Sequence, residues 1–315
     1  MGKLRRAVVA MSALVVTCSG VVPAAALTLP GRVDLLRAKA HITVGEDPQG
    51  ITVSPDGKRA YVANQFSDTV SVIDVATKAL VATWTTGAGP DNIEVSLDSK
   101  TVYVTNSTDG TVSALDATTG KDLADSPISV GDQPLGLALS PDGKQLVVAT
   151  SANGGSVAII DTTDLSQAPV LVSGSVLGAS FDSVVISADG SKAYATDSVG
   201  GYVSIFSLGM EPAELQSVSV GSSLLGVELS SDSKTLYAAE SIFSQLYAIS
   251  LTADGLMATA QDGSLEPSSL VAYDSGLGPT DVHRIAGTPY LSVVASVDGI
   301  VQLFNTTTNT FDKSI

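Results

Sequence analysis

The 315-residue chain is 44% hydrophobic and 15% charged, with 32 acidic residues against 16 basic ones and a net charge of −16. Such a length holds two ordinary domains or one large all-β domain, and the apolar share sustains a sizeable core and argues against disorder. The negative charge argues against nonspecific binding to nucleic acid or anionic membranes; it suits solubility, a bound cation or a cationic partner.

The first 26 residues differ from the rest. Lys3, Arg5 and Arg6 precede an apolar run from Ala7 to Val16, and Pro23-Ala24-Ala25-Ala26 follows. This order of basic, apolar and small residues marks 1–26 as a secretory signal peptide, and the run is too short to span a bilayer comfortably. An alternative is a lipidated Cys18, but Thr17 is a poor residue directly before such a cysteine. Cleavage after Ala26 leaves a chain 27–315 without cysteine or disulfide and moves the net charge from −16 to −19. No later segment has a membrane-length apolar run. The expected location is therefore secreted, periplasmic or at the cell surface.

From residue 44 onward a unit recurs. Ser54, Ser96, Ser140, Ser187 and Ser230 follow at steps of 42, 44, 47 and 43 residues. Two places after each serine stands an acid: Asp56, Asp98, Asp142, Asp189 and Asp232. Gly57, Ser99, Gly143, Gly190 and Ser233 come next, so each unit has a tight turn whose carboxylate can hold local backbone N–H groups. After each turn an apolar strand ends on Asn64, Asn106, Thr150, Asp197 or Glu240. A third strand follows at 70–74, 112–116, 157–161, 203–206 and 246–250, and a fourth precedes the next unit, as at 80–84. Four short strands per 42–47 residues indicate the blade of a β-propeller.

Tyr103-Val104-Thr105-Asn106, Tyr61-Val62-Ala63-Asn64 and the Ser-Pro-Asp-Gly turns at 54–57 and 140–143 resemble YVTN-type β-propeller repeats. The resemblance covers roughly 44–304. It implies the propeller fold, with roles that range from lactonases to surface or periplasmic binding proteins.

The blade units run at about 44–87, 88–131, 132–174, 175–221, 222–277 and 278–315. The last is degraded, and 252–267 is a longer insertion in the fifth. Residues 38–44 look like an outer strand. They are expected to close the ring by pairing with 300–304 of the last blade, leaving 305–315 as an extra strand or tail. The alternative is a seven-bladed, truncated ring in which Phe311–Ile315 forms the outer strand of the sixth blade.

Function in a propeller gathers where the loops into the inner strands meet the loops between second and third strands. Asn64, Asp91, Asn92, Asn106, Asp182, Asp197, Glu240 and Asp281 are the candidate ligand-binding rim. Converging carboxylates could hold Ca²⁺, although no cofactor is required, and each acid could equally cap its own turn. The middle of the inner strand reads Thr52, Glu94, Ala138, Val185 and Glu228, with His283 or Arg284 in the sixth blade. Glu94, Glu228, His283 and Arg284 form the candidate catalytic cluster; the plainer reading is an ion pair beside a water-filled channel. No metal-ligand spacing of His and Cys, nucleotide loop or serine elbow occurs. The expected protein is a monomeric exported propeller that binds a protein, glycan or small ligand. The alternative is a lactonase-like hydrolase.

Overall fold

The structure is a computed structural model that describes residues 42–314 except 152–153, 276–277, 286 and 296–299. The proposed signal peptide and residues 38–41 of the proposed closing strand lie outside the described residues.

Six four-stranded antiparallel sheets follow one another along the chain. Blade 1 is β1 (Pro48–Val53), β2 (Arg59–Asn64), β3 (Thr69–Asp74) and β4 (Ala79–Thr85). Blade 2 is β5 (Pro90–Val95), β6 (Thr101–Asn106), β7 (Thr111–Asp116) and β8 (Ile128–Ser129). Blade 3 is β9 (Pro134–Leu139), β10 (Gln145–Thr150), β11 (Ser156–Asp161) and β12 (Val170–Ser173). Blade 4 is β13 (Phe181–Ile186), β14 (Lys192–Asp197), β15 (Tyr202–Ser207) and β16 (Glu214–Ser219). Blade 5 is β17 (Leu224–Leu229), β18 (Thr235–Glu240), β19 (Gln245–Ser250) and β20 (Leu270–Asp274). Blade 6 is β21 (Pro279–Arg284), β22 (Tyr290–Ala295), β23 (Ile300–Asn305) and β24 (Thr310–Ser314). The protein is a six-bladed β-propeller. Among the described residues no helix is long and apolar enough to cross a membrane.

The serine-acid turn forms as its residues dictate. Ser54 Oγ donates to Asp56 Oδ1 at 2.6 Å and accepts the Arg59 N–H at 3.0 Å, while Asp56 Oδ1 also accepts the Lys58 N–H. Gly57 sits at φ +71°, where a side chain is unfavourable, and Ser99 and Ser233 accept the same left-handed region in their turns. The serine-acid bond recurs at Ser96–Asp98, Ser140–Asp142, Ser187–Asp189 and Ser230–Asp232. The Ser54 hydroxyl, ahead of the Lys58 N–H, holds the Asp56 carboxyl down to about 2. These acids are spent on the turn.

Blades pack face to face through buried apolar seams. Between blades 1 and 2, Tyr61, Val72 and Trp84 meet Ile93, Val95 and Leu115, with the Tyr61 and Trp84 rings 5.6 Å apart. Between blades 5 and 6, Phe304 packs with Tyr237, Tyr273 and Phe311. Each such side chain contributes about 1.5–3 kcal/mol by leaving water. The insertion of blade 5 joins the seam beneath it: Met257 is buried, and Gln216 both donates to its carbonyl and accepts its N–H.

The expected closing strand is corrected by the structure. The outer edge of β23 is occupied by β24, with Phe304 opposite Phe311 and Asn305 opposite Thr310. The turn between them is local: Asn305 Oδ1 accepts the Thr307 and Thr308 N–H groups, and Asn309 takes φ +57°. A short turn costs far less closure entropy than joining the two ends of the chain. Residues 42–44 form no strand; Ile42 is buried against Ala60, Val62 and Ile73 of blade 1. Among the described residues no apolar cluster is shared by blades 6 and 1.

Candidate functional site

Every inner strand breaks register at the same place, as between Pro48 and Ile51, Pro90 and Ile93, and Pro279 and Asp281. Such a bulge bends the strand and re-aims its first residues. Gly50 and Gly226 let the next blade come close: a Cβ there would meet Asp91 O and Asp281 Cα, each at 2.7 Å. The register also settles the sixth blade. Glu94 lies opposite Tyr103, Glu228 opposite Tyr237 and His283 opposite Ser292, so His283 takes the middle place and Arg284 does not.

Glu94 is half-buried and accepts a hydrogen bond from Thr52 Oγ1 of the preceding blade at 3.3 Å. Burial pushes its carboxyl up to about 7, against the Thr52 bond and the His283 charge. His283 Nε2 lies 2.8 Å from Asp281 Oδ2, and the Asp281 charge, opposed by burial, raises the imidazole to about 9. Glu228 and Glu94 add smaller upward effects. The imidazolium side chain keeps 53% of its surface exposed, so solvent screens this pair. At neutral pH the inner strands therefore present a charged imidazolium at His283 and, at Glu94, a carboxyl that burial biases toward its protonated form.

Glu228 shares the middle place with Glu94 and His283 but is held by backbone, and Arg284 faces elsewhere. Glu228 Oε1 accepts the Leu229 N–H and Oε2 accepts the Arg284 N–H, so this carboxylate pins blade 5 to blade 6. The Arg284 side chain lines a cavity on the opposite face of the propeller.

The expected rim divides in the same way. Asn64, Asn106, Asp197 and Glu240 have no exposed surface. Asn64 Nδ2 donates to Thr69 and Ser71, and Asn106 Nδ2 to Thr111 and Ser113. Asp197 accepts the N–H groups of Ser180, Val199 and Gly200, and Glu240 that of Phe243. Asp91, Asn92, Asp182 and Asp281 are half-buried at the bulges. Gln65 Nε2 donates to Asp91, Ser198 Oγ to Asp182, and the Ile93 N–H to Asn92 Oδ1. Among the described residues no three His, Cys, Asp or Glu side chains are grouped to hold a metal ion.

Sequence reasoning passed over what tops this face. Two places beyond the buried caps stand Phe66, Val199 and Ile242, which are 69%, 67% and 62% exposed; Phe243 beside Ile242 is 62% exposed. Leu177, in the loop leading into β13, is 97% exposed. A cavity of 790 Å³ lies on this face over blades 1 to 3, lined by Gln65, Ser107, Thr108, Asp109, Asp132 and Gln133 among others. The sequence signal was an apolar residue at a fixed offset from a polar cap.

Among solved structures with this fold is a candidate 6-phosphogluconolactonase from Bacteroides fragilis, with a TM-score of 0.69 at 19% identity over 86% of this chain and 85% of that one. A second, from Bacteroides uniformis, has a TM-score of 0.68 at 19% identity over 85% of each chain. The β-propeller domain of Cps50 (Swd1) from Myceliophteria thermophila has 0.69 at 14% identity over 86% of each. No family model and no curated protein matches the chain. At these identities the likeness is one of fold.

Proposed function

We propose that the chain is an exported propeller of the YVTN-repeat type that binds a protein partner on its loop face. The observation that carries this reading is the set of exposed apolar side chains Phe66, Leu177, Val199, Ile242 and Phe243 around that face. Folding gains nothing from them where they stand, and three share one place in the loops of blades 1, 4 and 5. The acids Asp109 and Asp132 in the adjoining cavity suit a basic or polar group of the partner. Replacing Phe66, Ile242 and Phe243 together by Ser tests the reading. Partner capture from the exported fraction of the producing cell should fall about tenfold or more, with a melting temperature like that of the parent. Met210→Ser, on the opposite face, should capture normally. Undiminished capture by the triple variant would sink the proposal.

A second reading is hydrolysis of a lactone in the channel, favoured by Glu94 and His283. Glu94 as carboxylate would take a proton from water as it attacks the carbonyl carbon. The His283 imidazolium, with Nε2 facing Asp281, would donate from Nδ1 to the carbonyl oxygen. The ring C–O bond then breaks as the proton on the former carbonyl oxygen returns to His283 Nδ1 and the C=O reforms, while the proton on Glu94 passes to the leaving oxygen, which restores both residues. Activity would rise with pH through about 7 and fall through about 9, as Glu94 and then His283 lose their protons. Glu94→Gln and His283→Ala should each lower kcat by about 100-fold or more. A lactonase rate indifferent to both excludes the channel as its site. A Ca²⁺ titration followed by thermal shift tests the cation-dependent form, and no shift counts against it.

A further inference from the structure

The face that carries the serine-acid turns has its own cavity, of 760 Å³, between blades 5 and 6. It is lined by Ser230 and Ser231 from the first turn of blade 5, by Arg284 at the end of β21, by Thr288 and Tyr290 around the first turn of blade 6, and by Thr307 after β23. Most of its hydroxyls are already committed. Ser230 donates to Asp232, Thr288 to the Ile285 carbonyl and Tyr290 to Asp312.

Three groups are not committed. The Arg284 guanidinium makes no ion pair among the described residues, whereas Arg59 pairs with Asp74. The hydroxyls of Ser231 and Thr307 have no acceptor among the described residues. The acids close by direct oxygens to other donors: Glu228 accepts two backbone N–H groups, Asp232 Oδ1 the Ser230 hydroxyl and the Lys234 N–H, and Asp312 Oδ2 the Tyr290 hydroxyl; their charges stay, so the anion must reach Arg284 on the side away from them. The cavity thus offers a ligand hydrogen-bond donors and one permanent positive charge, in a chain whose net charge is −16.

We propose that this cavity binds a small organic anion, a phosphate ester or a carboxylate. The planar fork of Arg284 takes two oxygens of the anion, and Ser231 and Thr307 donate to it from the two flanking blades. The Tyr290 ring and Pro289 form the wall for its organic part. The volume lies within the usual range for small-molecule sites. Arg284 is exposed, so binding weakens as salt screens it.

The test is calorimetric titration of the mature chain at low salt with inorganic phosphate, phenyl phosphate and benzoate. Saturable binding of phenyl phosphate or benzoate is expected, weakened about tenfold or more in Arg284→Met and less in Arg284→Lys. Ser231→Ala and Thr307→Val should each weaken it a few-fold. Preference for phenyl phosphate over benzoate assigns the site to phosphate esters, and the reverse to carboxylates. Lys78→Met, which removes an exposed charge from the β3–β4 turn of blade 1 on the same face, should bind as the parent does. The proposal fails if neither organic anion binds, if Arg284→Met binds as the parent does, or if Lys78→Met weakens binding as much as Arg284→Met. Circular dichroism of each variant confirms that the fold is retained.

Discussion

Glu94 and Asp56 are both acids in a repeating unit, yet their surroundings oppose each other. Asp56 is exposed and gathers a hydroxyl and an N–H, so its charge is welcome; Glu94 is enclosed beside a single hydroxyl, so its charge is costly. The folded pKa of Glu94, about 7, lies above its unfolded value of 4.5. Its contribution to stability is therefore present below about 4.5 and lost as pH rises through about 7. Glu94→Gln keeps the bond to Thr52 without the charge. The variant should be more stable than the parent at pH 8, by about 1–3 kcal/mol, and nearly equal to it at pH 5. Denaturant titrations at the two pH values check this, and a variant less stable than the parent at pH 8 would contradict it. His283 behaves in the same sense: its raised pKa contributes stability below about 6.5 that is lost as pH rises through about 9.

Glu94 could be picked out in the sequence because neighbouring repeats put Thr and Ala at its place. The fate of Glu228 could not, since both its partners are backbone N–H groups, one of them from the next blade. Asn64 and Glu240 were misleading for a related reason. A polar residue closing a strand reads alike whether it faces solvent or turns inward to bond its own loop.

At the scale of the blade, turns and strand order were legible because the serine-acid pair recurs with its hydrogen bonds intact. The closing arrangement was not. Residues 38–44 and 311–315 both read as outer strands, and only pairing geometry chooses between them. In blade 6 the choice is held by Phe304, which touches Phe311 of β24 and Tyr237 and Tyr273 of blade 5 at ring distances of 5.1, 6.1 and 4.8 Å. Phe304→Ala opens a cavity shared by two blades and should cost about 3–5 kcal/mol, read as a fall in the denaturant midpoint. A loss below about 1 kcal/mol would mean that this seam closes around the gap.

The whole molecule has two unlike faces. On the turn face Leu97 and Met210 are exposed singly, as is ordinary, and Leu97 lies against the neighbouring turn near Gly143. On the loop face exposed apolar side chains recur at one place in the loops of blades 1, 4 and 5, and a polar cavity lies over blades 1 to 3. Structures of similar shape include candidate lactonases and a β-propeller domain of Cps50 (Swd1), so overall shape leaves the choice of function to these faces. Site-specific photo-crosslinking decides the matter most directly. A photoreactive residue is placed at Phe66 or Ile242 on the loop face, or at Leu97 or Met210 on the turn face, in the producing cell. Protein-binding on the loop face predicts the same discrete crosslinked product from Phe66 and Ile242 and none from Leu97 or Met210. Products from the turn-face positions alone, or no product from either loop position, would contradict it.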